Sequence, residues 1–206
     1  MPVAPLTPGP GETTVDGNSH VISGADSVEI FYNAETLFYH PDGDYLEPLN
    51  AKLDAAVEKG FDSLLSEAID DYSELYSRVS LTWDNPDPAQ GLLATDERLE
   101  ANKAAGNFDK DPTLLLLAYN FGRYLLISSS RPGSAPANLQ GVWNEDFSPS
   151  WGSKFTININ LEMNYWLAEA NNLPDVAEPL WQHLLRTQER GISVASEMYN
   201  CSGWVA

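Results

Sequence analysis

Chemistry-bearing side chains concentrate between Ser130 and Trp166, where Asn138, Gln140, Trp143, Asn144, Trp151, Lys154, Thr156, Asn158, Asn160, Glu162 and Asn164 fall within one short stretch. Such a set suits a neutral, hydroxyl-rich ligand. Aromatic rings can lie against the apolar face of a sugar ring, while amides and carboxylates supply the oriented donors and acceptors that hydroxyls require. Within the stretch, Thr156-Ile157-Asn158-Ile159-Asn160 alternates polar and apolar residues. An extended backbone would turn Thr156, Asn158 and Asn160 to one side. Two readings stay open at this point. The amides face a cavity, or they bond the backbone of a turn, with Asn160 capping the helix that follows.

Other chemistries find little support. His20, His40 and His183 are scattered, no Ser/His/Asp set is legible, and nothing resembles a phosphate loop or a histidine-rich metal site. One cysteine, Cys201, excludes an internal disulfide and a cysteine-built metal cluster. Asn200-Cys201-Ser202 fits the Asn-x-Ser acceptor pattern, one that short sequences often match by chance. Thirty acidic against eleven basic residues give a formal net charge of −19. That charge repels phosphate backbones and anionic membrane faces, which argues against nucleic-acid and membrane partners. The longest apolar run, Leu114 to Ala118, is far short of a membrane span.

The elements that must position these residues are read from period and punctuation. Residues 1–17, rich in Pro and Gly without a basic start or apolar stretch, read as a flexible segment and not as a signal peptide. Ser19 to Ser23 and Ser27 to Asn33 alternate around Gly24-Ala25-Asp26, which predicts a β-hairpin belonging to a larger sheet. From Pro48 the period becomes helical. A short helix closes at Gly60, and an apolar stripe then runs from Phe61 through Leu75 to Val79, giving an αα-hairpin. A loop follows over 84–90, then a helix over 95–105 with Thr95 able to cap it. Asp111-Pro112 reads as a helix start, for a helix to about Ser130 that is apolar almost all round and so expected to be buried on several sides. Residues 131–154 read as a long ordered loop. Helices are expected over 161–171 and 175–190, the latter with Leu180, Leu184 and Leu185 inward and Gly191 as its stop, and a last one from Ile192.

The longer strings carry a family resemblance. Leu125 to Gly133 (LLISSSRPG), Pro136 to Asn144 (PANLQGVWN) and Lys154 to Trp166 (KFTININLEMNYW) closely resemble glycoside hydrolase family 95, the inverting α-L-fucosidases. Ala94 to Leu99 and Gly203 to Ala206 resemble it too, so the likeness covers most of the chain. It implies a mainly α fold, about half of an (α/α)6 toroid of glycosidase type, with a short β-hairpin left from an upstream β-sandwich domain. The division that follows is 1–17 flexible, 18–38 the end of the sandwich, and 39–206 the N-terminal half of a truncated catalytic domain.

The resemblance also implies that Asn158 and Asn160 match paired active-site asparagines. One of these positions the attacking water and is polarised by an aspartate from farther along the chain, and the analogy favours Asn160 for this. Trp143, Asn144, Trp151, Thr156 and Gln140 are the expected substrate contacts. The polarising aspartate and the general-acid glutamate are expected beyond Ala206, with Glu162 and Glu169 supporting the site or the fold instead. The expected substrate is a terminal α-L-fucoside of a glycan, with water as cosubstrate and no metal or other cofactor. The likeness suggests secretion. Two alternatives stand beside it: a related α-L-galactosidase specificity, since one added hydroxyl is easier to admit than a lost hydrogen bond, and a non-catalytic sugar-binding fragment.

Overall fold

The computed structural model describes residues 11–206. The described chain divides into two compact units, with the boundary between Asp70 and Asp71. In the first, β1 (Glu12–Asp16) pairs antiparallel with β2 (Ser19–Ser23) in the register Glu12 to Ser23 and Asp16 to Ser19. The hairpin is therefore one strand earlier than expected. Its two-residue loop is Gly17-Asn18, with Gly17 at φ 60°, the conformation that a hairpin turn demands at its first position. Thr13, Thr14 and Val15 supply the β-favouring residues inside a segment expected to be flexible. Ser27–Asn33, expected as the second strand, pairs with nothing among the described residues. The other expected flexible positions, 1–10, lie outside the described residues.

Helix α1 (Leu46–Lys59) buries Leu49 and Leu53, and Gly60 at φ 78° ends it. Helix α2 (Phe61–Tyr76) begins at the next residue, and the boundary between the units falls inside it. Of its apolar stripe only Leu75 is buried, while Phe61, Leu65 and Ile69 are exposed.

In the second unit α3 (Pro88–Gly91) is capped by Asp87, whose carboxylate accepts from the Gln90 amide at 3.2 Å. Helix α4 (Thr95–Ala105) starts after Ala94, so Thr95 is its first residue and not its cap. Glu97 instead accepts from the Ala94 amide at 3.2 Å. Helix α5 (Thr113–Ser129) follows Asp111-Pro112 as expected, yet Asp111 does not cap it with its side chain. That carboxylate is fully buried and accepts two hydrogen bonds from Arg98, both 2.8 Å, with Thr113 at 2.8 Å and Asn85 at 2.9 Å. Helix α5 buries Leu114, Arg123, Leu126, Ile127 and Ser129 but exposes Leu115, Leu117, Phe121 and Tyr124, so burial on several sides is not what these residues show.

A 3-10 turn, Ser150–Ser153, interrupts the loop that leads to α6 (Asn160–Ala170). A second, Pro174–Ala177, opens α7 (Glu178–Tyr199), which runs unbroken through Gly191. Gly191 is thus not a stop. A Cβ there would meet the Val205 carbonyl oxygen at 2.5 Å, and the Val205 amide donates to the Gly191 carbonyl at 3.2 Å. The glycine lets the chain end pass against the helix. Leu180 is buried and Leu184 packs on the core, whereas Leu185 is exposed. That core joins Leu126 and Ile127 of α5, Leu161, Tyr165 and Ala168 of α6, and Leu173, Val176 and Leu180.

Candidate functional site

The loop after α5 is held by hydrogen bonds that its sequence does not announce. Tyr165 Oη, buried on α6, accepts from the Ala137 amide at 2.8 Å and lies 2.7 Å from Ser130 Oγ, which donates to the Val176 carbonyl at 2.7 Å. Asn138 ties the next part together. Its Oδ1 accepts from the Gln140 amide at 2.9 Å and from Ser153 Oγ at 3.0 Å, and its carbonyl accepts from Asn164 Nδ2 at 2.7 Å. The Leu139 amide donates to the Lys154 carbonyl at 2.9 Å. The turn that carries Gln140 and Trp143 is thereby fastened both to α6 and to the segment leading into Thr156. Asn164 and Tyr165 thus act through backbone partners far along the chain, which no local pattern encodes.

The segment Thr156 to Asn160 is a turn, not an extended strand, which corrects the expectation that alternation sets three polar side chains on one side. Thr156 sits at φ 49°, a costly conformation for a β-branched residue. Its carbonyl accepts from the amides of Ile159, Asn160 and Leu161 at 3.4, 3.1 and 3.4 Å. These amides are the ones a helix start leaves free, so the Thr156 carbonyl does the work of a cap. Asn160 is the first residue of α6 and caps nothing with its side chain. Neither Asn158, exposed on the turn, nor Asn160 engages its side-chain amide among the described residues.

Gln140 and Trp143 come together in a cleft of about 330 Å³ between α5 and α6, lined also by Leu126, Ala137, Met163 and Asn164. Trp143 is half exposed and tilts against Tyr124 at 5.7 Å. Of the five expected substrate contacts, Gln140 and Thr156 each hold a buried oxygen without a hydrogen-bond partner, Oε1 and Oγ1. Asn144 Oδ1 accepts from the Asp146 amide at 2.9 Å, and Trp151, at φ 57°, is 79% exposed; neither lines that cleft. Asn158 and Asn160 do not line it either.

Two nearby titratable groups, His183 and Tyr165, are packed into the fold. His183 packs on Phe155 at 4.5 Å, and burial, followed by the Arg186 charge, holds its pKa below the ordinary value. Burial raises the Tyr165 phenol above its ordinary value, against its hydrogen bonds with Ser130 and the Ala137 amide. Glu162 is exposed beside an apolar cleft of about 300 Å³ lined by Trp166 and Trp181. Among the described residues no group of three or more His, Cys, Asp or Glu could hold a metal ion, and no helix is long and apolar enough to cross a membrane.

Comparison with known proteins gives the family. The chain is 35% identical over 207 residues to Alpha-L-fucosidase 2 of Arabidopsis thaliana, covering 94% of the chain and 24% of that protein. It is 33% identical over 220 residues to Probable alpha-fucosidase A of Aspergillus niger, covering 98% and 27%. The similarly named protein of Aspergillus oryzae is 36% identical over 163 residues, covering 79% and 22%. The chain thus spans about a quarter of the length of these curated relatives. The glycosyl hydrolase family 95 catalytic domain matches residues 60–206, the span that holds α2 to α7, the Gln140–Trp143 cleft and the Asn158–Asn160 turn, and the chain belongs to that family.

Proposed function

We propose that these residues form one wall of the active site of an inverting α-L-fucosidase, within about half of an (α/α)6 toroid, acting on terminal α-L-fucosides of a glycan. One observation carries the reading: the family match includes a turn that leaves the side-chain amides of Asn158 and Asn160 without partners among the described residues. An inverting glycosidase needs an acid at the leaving oxygen and a base for water on the opposite face of the sugar. An amide is a poor base alone. Its carbonyl holds the water and gains basicity when its NH₂ donates to a carboxylate. In this reading Asn160 positions the water and Asn158 supports it. The aspartate and the general-acid glutamate come from a part of the family's length that this chain does not span. Trp143, Asn144, Trp151, Thr156 and Gln140 contact the glycan. The unpartnered buried atoms of Gln140 and Thr156 support two of these five, because a ligand hydroxyl would satisfy them.

The test uses the protein encoded by the complete reading frame and an aryl α-L-fucoside, following product anomers by NMR. Release of β-L-fucose is expected. Asn160→Ala should lower kcat by about 10²-fold or more with little change in KM, because the interaction is realised as water attacks. The 206-residue chain alone should show no turnover. Retention of configuration, or Asn158→Ala and Asn160→Ala variants that lose thermal stability but keep kcat, would sink the assignment.

A further inference from the structure

We propose that Asn200 is an N-glycosylation site, its side-chain nitrogen carrying an oligosaccharide added in the secretory route. The inference is independent of the glycosidase reading and of every residue assigned to it.

Three observations carry it. First, Asn200 alone among the asparagines of the chain is followed two places on by Ser or Thr, and the residue between, Cys201, is not proline. Second, this acceptor sits at the apex of a surface turn. Helix α7 ends at Tyr199, Gly203 at φ 100° redirects the chain, and the Val205 amide returns to the Gly191 carbonyl, which leaves residues 200–202 all exposed between them. Third, the fold uses Asn200 only through its backbone. At φ 49° and ψ 42° it closes α7 in the left-handed conformation, its backbone amide donating to the Ser196 carbonyl at 3.2 Å. Neither its side chain nor the Ser202 hydroxyl has a partner among the described residues.

A helix stop of this kind favours glycine or asparagine, so the backbone accounts for the asparagine but not for the hydroxyl two residues later. A folded glycoprotein must also keep the modified nitrogen in solvent, with room for a bulky polar chain beyond it. Met198, Tyr199 and Trp204, which adjoin the turn in sequence, are exposed, and a glycan there would shield apolar surface that otherwise favours association.

In the transfer Asn200 Nδ2 attacks the anomeric carbon of a lipid diphosphate-linked oligosaccharide. The new N–C bond replaces the C–O bond to the diphosphate, which leaves with the lipid, and the nitrogen gives up one proton to a base of the transferring enzyme.

The test expresses the complete reading frame in yeast and, in parallel, translates it in a cell-free extract supplied with microsomes. Peptides covering residue 200 are treated with peptide N-glycosidase in heavy-oxygen water and read by mass spectrometry. Conversion of Asn200 to isotope-labelled aspartate is expected in the parent, kept or raised in Ser202→Thr, and lost in Ser202→Ala. Ser202→Ala breaks no hydrogen bond among the described residues and should melt with the parent, so it carries the test. Asn200→Gln should also abolish the label, but it places a poorer residue in the left-handed position. Unlabelled Asn200 in both preparations, or a label that persists in Ser202→Ala, overturns the site and leaves Asn200 as a helix stop alone.

Discussion

Ser130 Oγ and Tyr165 Oη stand 2.7 Å apart inside a buried relay whose proton order is fixed by its two ends. Ser130 donates to the Val176 carbonyl, so in the bond between the two hydroxyls Tyr165 donates and Ser130 Oγ accepts, while Tyr165 Oη in turn accepts from the Ala137 amide. The relay pins the entry of the loop to α6 and to the start of the α7 region. Tyr165→Phe should cost about 1–3 kcal/mol in urea unfolding, because the Ala137 amide loses its acceptor in a buried place. Ser130→Ala should cost a similar amount through the Val176 carbonyl and the Tyr165 hydroxyl. A cost near zero for both would show that water satisfies these groups.

Acid stability should depend on Asp111. Hydrogen bonds from Arg98 foremost, then from Thr113 and Asn85, hold its pKa at about 2 against the opposing effect of burial. A depressed carboxylate stabilises the fold above the unfolded value of about 3.9 and loses that contribution as pH falls through its folded value. Stability should therefore drop between about pH 4 and pH 2. Arg98→Ala, which strands a buried carboxylate, should cost about 3–5 kcal/mol at neutral pH and flatten that acid limb. Chemical denaturation at a series of pH values reads both.

Gly191→Ala inverts the usual rule for helices. Alanine in a helix interior ordinarily gains about 0.5–1 kcal/mol over glycine. Here the added Cβ would meet the Val205 carbonyl at 2.5 Å, so the substitution should destabilise and detach residues 204–206. A higher melting temperature with unchanged protection of the Val205 amide in hydrogen exchange would refute the packing role.

The 206-residue chain should self-associate despite its charge. Leu99, Phe108, Leu115, Leu117 and Phe121 line an apolar groove of about 500 Å³ between α4 and α5, and Leu92 is 88% exposed. Contiguous apolar surface of this kind tends to associate. Sedimentation should show a concentration-dependent mass that shrinks on Phe121→Ser; a single monomer at all concentrations would contradict it.

Local residue chemistry settled much of this protein before any fold was drawn. Gly60 ends α1 because only glycine accepts that backbone without strain, and Asp111-Pro112 precedes α5 because proline is set for a first turn. The strings around Ser130, Gln140 and Asn160 pointed to the family that residues 60–206 then matched. Local chemistry misled where a partner distant in sequence decides. Gly191 looks like a helix stop, but it is there to admit Val205. Asp111 looks like a cap, yet Arg98 claims it. Alternation from Thr156 to Asn160 suggests a strand, whereas the Thr156 carbonyl, gathering three amides of the coming helix, bends it into a turn. Residue types and short spacings are local quantities and can be read along a chain. Which buried donor meets which acceptor is set only when packing brings remote segments together, because burial makes an unpaired polar group costly and so selects the partner.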